Sequence, residues 1–327
     1  NTNKKGMIVV TGAAGFIASA LISKLNKHNF NNIIAVDLFD SPEKNKNLEN
    51  KKIAQKINRL ELNDWIQLNH EEIEFIFHLG ARTDTSEFNR AVLASLNTEY
   101  SKMIWKNCVS YHIPLVYASS AATYGLGEFG FDDSVNLCDK LIPLNPYGDS
   151  KNEFDIWALK EPKKPFFWAG LKFFNVYGPN EYHKGRMASV VYHSFNQISK
   201  TGRMNLFKSH NPKFNDGGQM RDFIYVKDVV KVLYWLMHHR KNSGLYNLGS
   251  GQARSFLDLV EAVFVTMDRE KKISFVDTPI DIRDKYQYFT EAKMEKLKKI
   301  GYPHPFTTLE SGIHDYIINY LENNKRY

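Results

Sequence analysis

Tyr147 and Lys151 stand four residues apart in the run Tyr147-Gly148-Asp149-Ser150-Lys151, a spacing that puts both side chains on one face of a helix. A phenol with an ordinary pKa of about 10 is a weak base at neutral pH, and a neighbouring ammonium favours its phenolate. Ser120 lies twenty-seven residues upstream of Tyr147, in the hydroxyl-rich run Tyr117-Ala118-Ser119-Ser120-Ala121-Ala122-Thr123-Tyr124-Gly125. Its hydroxyl can hold an oxygen from which Tyr147 takes the proton. Such a trio suits oxidation of an alcohol: the proton leaves the oxygen while hydride leaves the carbon, and a hydride acceptor is required. A Tyr-x-x-x-Lys spacing arises by chance on many helices and a serine closes many strands, so the trio needs a partner motif.

That motif is Thr11-Gly12-Ala13-Ala14-Gly15-Phe16-Ile17-Ala18, which follows an apolar strand and opens an amphipathic helix carrying Leu21, Ile22 and Leu25 on its inner face. Gly12 suits the tight turn and Gly15 lets backbone approach a pyrophosphate. The helix start then offers free amides and the positive end of its dipole. Glycine also serves turns for conformational reasons alone, but Asp37 closes the second strand about twenty residues on, where an acid can accept from the adenosine ribose hydroxyls. An acid there favours NAD. Lys44 and Arg59 lie downstream and could instead neutralise a 2′-phosphate, so NADP and NAD both stay open on the residues alone.

The elements that must position these groups follow from the apolar pattern. Short β-rich runs at 7–10, 33–37, 75–79 and 115–118 alternate with helical stretches such as 90–111. That alternation predicts an α/β fold, a Rossmann-type doubly wound parallel sheet with helices on both faces. A fifth run, 170–176, ends at Tyr177-Gly178-Pro179, after which long polar loops take over. Residues 223–226 lead into a helix at 228–239, and 245–248 forms another strand. The expected division is therefore 1–175 plus about 223–250 for the dinucleotide-binding domain, and about 176–222 plus 251–327 for a smaller mixed α/β substrate domain. The stretches 255–267 and 308–321 have helical spacing, and 43–52 reads as a surface loop or short helix.

Composition bounds the function. The chain has 327 residues, 43% of them hydrophobic, enough for a large core. No run of about 18 apolar residues offers a membrane span. The net charge of +7 is spread over helical faces and loops rather than gathered into one arm, which argues against nucleic acid and suits a small anionic substrate. The only cysteines, Cys108 and Cys138, form no paired motif, so neither a disulfide framework nor a metal site is expected and the compartment reads as reducing. Residues 1–6 are polar and lack the apolar core of a signal peptide, which makes the cytoplasm the expected location.

With these residues in view, the chain resembles the extended short-chain dehydrogenases that modify nucleotide sugars. The resemblance spans nearly the whole length: Phe173-Phe174-Asn175-Val176-Tyr177-Gly178-Pro179, Arg221-Asp222-Phe223-Ile224-Tyr225-Val226-Lys227-Asp228-Val229 and Tyr246-Asn247-Leu248-Gly249-Ser250-Gly251 are similar to later landmarks of that family. Within it, Glu181-Tyr182-His183-Lys184-Gly185-Arg186-Met187-Ala188-Ser189-Val190 resembles the epimerases of ADP-linked heptose. The resemblance implies inversion at C6 of ADP-heptose through a transient ketone, with a second acid/base at Lys184. A buried lysine can exchange protons near neutral pH. The family implies a homo-oligomer, with a pentamer the expected form, and a product feeding lipopolysaccharide inner-core assembly.

Carried over residue by residue, the resemblance assigns Gly12, Gly15, Phe16, Ile17, Asp37, Leu38, Lys44, Arg59, Leu79, Gly80, Ala81, Arg82, Thr83, Asn97, Tyr147, Lys151, Val176 and Lys184 to the cofactor, NADP or alternatively NAD. It assigns Ser120, Asn175, Arg186, His193, Phe207, Lys208, Ser209, His210, Arg221 and Tyr286 to the sugar nucleotide. Arg221 also fits on physical grounds, since a guanidinium suits bidentate recognition of a diphosphate. Three features depart from the family: Ala18 replaces a usual third glycine, Arg186 a small polar residue, and the 207–214 loop differs in length. The rival among enzymes is a 4-epimerase or 4,6-dehydratase acting on another nucleotide sugar; dehydration would need acids beside Ser120, where Ala121 and Ala122 supply none. An idle redox-sensing binder is the other rival, and the intact Ser120, Tyr147, Lys151 and Lys184 argue against it.

Overall fold

A computed structural model describes residues 6–327, so residues 1–5, part of the segment read above for export signals, lie outside it. Seven parallel strands form the central sheet: β1 (Met7–Thr11), β2 (Ile33–Asp37), β3 (Gln55–Asn58), β4 (Ile73–His78), β5 (Leu115–Ser120), β6 (Trp168–Phe173) and, from far along the chain, β10 (Gly244–Leu248). Their spatial order is β3-β2-β1-β4-β5-β6-β10. The chain thus winds outward from β1 in one direction and, after β3, crosses back to β4 and winds in the other. Between β1 and β4 lies the crevice where such sheets bind ligands.

Both faces of the sheet are covered, which is why its strands read as unbroken apolar runs. On one face Val9, Ile34, Val36 and Ile76 pack with Trp105, Phe154 and Trp168. On the other, Ile8, Val10, Phe75 and Phe77 join a core that continues beneath the helices Phe16–Lys27 and Val226–His238. Each large apolar side chain buried this way contributes roughly 1.5–3 kcal/mol of transfer free energy.

The fifth apolar run does not form one strand. β6 ends at Phe173, and after Phe174 the chain starts β7 (Asn175–Tyr177), which pairs with β9 (Met220–Tyr225) in a separate three-stranded sheet completed by β11 (Ala253–Ser255). Residues 223–225, expected with the large sheet, therefore belong to this smaller one, and the chain returns to the large layer only at helix Val226–His238. A two-stranded sheet pairs β8 (Met204–Phe207) with β12 (Ile273–Val276). The expected helix 90–111 is interrupted by a π-helical stretch, Ala94–Glu99, between Arg90–Leu93 and Tyr100–Ser110. The wider turn sits at Asn97, whose buried side chain bonds both the N–H and the C=O of Arg82 and the hydroxyl of Ser150.

Under the carboxyl end of β5 lies a buried ion pair, Lys172 to Asp155 at 3.1 Å, with side chains 1% and 0% exposed. Asp155 also accepts from the Tyr117 and Ser119 hydroxyls, and Lys172 donates to Thr123 Oγ1. Removing one partner of a buried pair leaves a charge with no water and no counter-ion. Lys172→Met is therefore expected to cost about 3–5 kcal/mol in chemical denaturation. The double variant Lys172→Met/Asp155→Asn should recover part of that loss; additive losses would contradict the pairing.

Candidate active site

The turn after β1 and the segment after β4 meet in the crevice. Gly12 holds a left-handed φ of +65°, and a Cβ on it would lie 2.6 Å from the Gly80 Cα. A Cβ on Gly80 would in turn lie 2.9 Å from the Gly12 nitrogen. Glycine is needed at both positions because the two backbones touch. The Gly80 N–H donates to Thr11 Oγ1, which also bonds His78, and His78 reaches Ser101 on the crossover helix. Burial pushes the His78 imidazole down to about 3, so this buried relay is neutral. Gly15 caps helix Phe16–Lys27 with no side-chain hydrogen bond, which leaves the first amides of that helix for a ligand.

A cleft of about 600 Å³ opens here, lined by Gly12, Gly15, Phe16, Ile17, Asp37, Lys44, Arg59, Leu79, Gly80, Ala81, Arg82, Thr83 and Lys184, all expected at a cofactor. Asp37 accepts from the Ala14 and Leu38 amides and from Lys44 Nζ at 2.9 Å. Leu38 thus enters through its backbone and does not line the cleft. Asn97 does not line it either; it clamps Arg82 from behind. Glycine contact, uncapped helix amides and a carboxylate at the end of β2 fit a dinucleotide.

A second cavity, of about 330 Å³, shares Phe16, Ile17, Leu79, Ala81, Thr83, Lys184 and Met187 with the cleft and continues it over the sheet. Its walls carry Ser120, Tyr147, Lys151, Asn175 and Val176. Ser120 is fixed by accepting from the Ala122 amide at 3.0 Å as the 3₁₀ turn Ala121–Tyr124 begins, and it shares a hydrogen bond with the Tyr147 phenol. Asn145 caps helix Pro146–Lys160 by accepting from Gly148 N, so Tyr147 and Lys151 sit in its first turns.

Burial pushes the Tyr147 phenol up from its ordinary value, and the Ser120 hydrogen bond works against that rise. The Lys151 Nζ lies 6.0 Å from the Tyr147 ring centre and donates to the Ala118 carbonyl at 2.9 Å. Burial pushes Lys151 down to about 8, with Asp155 opposing.

Lys184 lines both cavities, with its ammonium 5.5 Å from the Phe16 ring centre. Burial lowers its pKa and Glu181 opposes the shift. Glu181 is itself buried, accepting from Gly178 N, Ser189 N and Ser189 Oγ, and so ties together both ends of the loop that carries Lys184. The sequence reading assigned Glu181 no role, although its position three residues before Lys184 was visible.

A profile of the NAD dependent epimerase/dehydratase family matches residues 8–249. The chain belongs to this family. An ADP-L-glycero-D-manno-heptose-6-epimerase of Fusobacterium nucleatum subsp. nucleatum is 44% identical over 331 residues, covering 98% of this chain and 100% of that protein. One from Nitratidesulfovibrio vulgaris is 46% identical over 318 residues, covering 96% and 98%. The crystal structure of the Helicobacter pylori ADP-L-glycero-D-manno-heptose-6-epimerase has a TM-score of 0.79 at 26% identity, covering 97% of this chain and 96% of that one.

Other expected substrate residues of this family member fall elsewhere. Arg186 sits at the rim of the cofactor cleft, where it pairs with Asp84 at 3.2 Å, and does not line the inner cavity. His193 also lies outside the cavity lining and meets the Arg186 carbonyl at 3.2 Å. Arg221 is buried between the Phe256 and Tyr286 rings, 5.4 Å from each centre, and its guanidinium donates to the Met220 carbonyl. Among the described residues it has no ion-pair partner, which suits a cation awaiting an anion. Phe207 packs edge-on against Tyr286, bringing the 207–210 segment to this cluster. There Lys208 pairs with Asp277, Ser209 N–H donates to Asp216, and His210 N–H donates to the Tyr288 hydroxyl. Sequence reasoning missed Tyr100, His183, Met187, Phe223 and Leu259 among the lining residues, because only their spatial neighbours mark them.

The buried Lys151 ammonium implies a stability cost. Its folded pKa of about 8 lies below the unfolded value of 10.5, so the unfolded chain binds more protons between those limits. The destabilisation is full below about pH 8 and vanishes above about pH 10.5. Lys151→Met should therefore raise stability at pH 7, by roughly 1–3 kcal/mol, and the gap should shrink by pH 10. Urea denaturation at both pH values checks this; an equal or lower stability at pH 7 would contradict it.

Proposed function

We propose that this protein inverts C6 of ADP-D-glycero-β-D-manno-heptose to give ADP-L-glycero-β-D-manno-heptose, using one bound nicotinamide cofactor for oxidation and re-reduction. The observation that carries this reading is the shared cavity, with Tyr147 and Ser120 on its walls and a half-buried Lys184 at the junction with the cofactor cleft. The ADP-heptose identity rests on relatives that are 44% and 46% identical along nearly their whole length.

In this mechanism Ser120 holds the C6 hydroxyl oxygen and the Tyr147 oxygen takes its proton. When bound, the nicotinamide supplies the hydride acceptor and donor and, as a cation, favours the phenolate. Inversion then requires the ketone to present its other face, so the proton returns to oxygen from a different group. Lys184 fills that role: burial lowers its proton affinity, and a lysine that releases a proton readily is a usable acid. Arg221, buried and unpaired, would take the diphosphate.

We assign the cofactor as NADP, with NAD the alternative. Lys44 and Arg59 both line the ribose end of the cleft, and Lys44 already occupies Asp37, the acid that would otherwise repel a 2′-phosphate. By family resemblance we also propose a cytoplasmic homo-oligomer, a pentamer, serving lipopolysaccharide inner-core synthesis. Among the described residues no helix is long and apolar enough to cross a membrane.

Incubation with ADP-D-glycero-D-manno-heptose should yield the L-glycero epimer. Tyr147→Phe and Lys184→Met should each lower turnover by about 10²–10⁴-fold. Absence of any epimer from the wild type would remove the assignment, and full turnover by Lys184→Met would remove the second base. Separately, Lys44→Ala should weaken NADP about tenfold and NAD little, as read by titration calorimetry. An equal effect on the two cofactors would contradict the 2′-phosphate role.

A further inference from the structure

Residues 325–327 lie against both loops that border the cofactor cleft. The Arg326 Nε donates to Asn47 Oδ1 at 3.1 Å, its terminal nitrogen to Glu43 Oε1 at 2.8 Å, and its guanidinium covers the Tyr182 ring at 5.3 Å. The Tyr182 hydroxyl donates to the Lys325 carbonyl at 2.7 Å. The Tyr327 N–H donates to Asn180 Oδ1 at 2.8 Å, and its backbone oxygen accepts from Asn180 Nδ2 at 3.0 Å and Lys51 Nζ at 2.7 Å.

At the centre of these bonds are Asn47 and Asn180, 1% and 0% exposed. The Asn47 amide reaches the Ala14 carbonyl in the glycine turn, the Asn180 carbonyl and the Nδ1 of His183, at 3.0, 3.0 and 3.3 Å. Asn180 reaches Ser19 on the glycine-turn helix at 3.0 Å and holds a left-handed φ of +81°, a conformation asparagine tolerates better than most residues. Desolvation and the nearby Lys44 and Lys184 hold His183 at about 4, so a neutral ring can accept from Asn47. One set of buried amides thus joins four pieces of chain: the glycine turn, residues 43–47, residues 180–183 and residues 325–327. Lys44 follows Glu43 directly, and Lys184 follows His183.

We propose that Arg326 and Tyr327 are positioning residues that hold the Lys184 loop against the Lys44 segment, so that both lysines keep their places around the cofactor. This rests on the reading of Lys184 as second acid/base. Neither residue lines either cavity, so each acts through the loops it holds. The bonds of Asn47 and Asn180 to Ala14, to one another and to Ser19 are buried, those from residues 325–327 are part-buried or exposed, and a small displacement of a reacting group costs much rate. Loosening the loop should therefore impair the Lys184 half of the reaction before the Tyr147 half, whose residues belong to β5 and helix Pro146–Lys160.

The test uses Arg326→Ala, Arg326→Lys and a deletion of residues 326–327 in the full protein. Amide hydrogen exchange reads the 180–187 loop without substrate, and single-turnover oxidation is followed from each of the two heptose epimers. Arg326→Ala and the deletion should exchange faster in 180–187. They should slow oxidation of the epimer that needs Lys184 by about tenfold to a hundredfold, with the other epimer within about twofold. Arg326→Lys, which keeps a cation near Glu43 but loses the fork to Asn47, should fall between. Unchanged exchange in a folded variant, or equal loss with both epimers, would overturn the proposal. If the wild type oxidises neither epimer, the functional reading fails, and the exchange data alone decide whether residues 326–327 hold the loop.

Discussion

The approach of Gly12 to Gly80 is the constraint on which the site depends. A doubly wound sheet separates the chain on either side of β1, and the crevice between β1 and β4 is where backbone can face a ligand with no side chain between. Here the two turns come so close that neither tolerates a Cβ. That contact sets the floor of the cleft and aims the uncapped helix amides into it. The Thr11–His78–Ser101 relay and the Asn97 clamp on Arg82 then fix the second wall. Dinucleotide binding follows from this geometry before any specific contact is considered.

The protein holds four cations out of bulk water, three buried and Lys184 half-buried, and gives each a different setting. Lys172, on β6, has a full counter-ion in Asp155 of the Tyr147 helix, and Asp155 also accepts from Ser119 on the Ser120 strand. Lys151 has a carbonyl and a more distant acid, and its ammonium persists at neutral pH at a cost in stability. Lys184 sits beside hydrogen-bonded Glu181 at the junction of the two cavities. Arg221 has two aromatic rings and a carbonyl but no acid among the described residues. The degree of pairing thus falls from Lys172, with its full counter-ion, to Arg221, which has no acid beside it among the described residues.

Much of this was legible in the sequence. Continuous apolar strands alternating with helices gave away the parallel sheet, because burial on both faces erases the period-two pattern. The trio of Ser120, Tyr147 and Lys151 was visible as hydroxyls at a strand end followed by helical spacing. Less legible was anything set by long-range register. The run 170–176 carries only Lys172 and Asn175 among its apolar residues, and neither marks locally the switch from β6 to β7 at Phe174. Arg186 reads as one more cation in a substrate segment, and only the fold turns it to the cleft rim beside Asp84. Spacing gives the proximity of Lys151 to Tyr147 but not that its ammonium donates to the Ala118 carbonyl. Glu181 and Arg326 look like ordinary surface charges until folding buries one and wedges the other between loops.

The central claim is that a single hydride leaves C6 and returns to the same carbon on the opposite face, while protons pass only to oxygen through Tyr147 and Lys184. Running the reaction in deuterium oxide tests it most directly. The account predicts an L-glycero product with no deuterium at C6 or at its neighbouring carbons, by mass spectrometry and proton NMR, and full retention of a deuterium placed at C6 of the substrate. Solvent deuterium at C6, or loss of the substrate label, would mean that a carbon-bound proton is exchanged with water, and the account would be wrong.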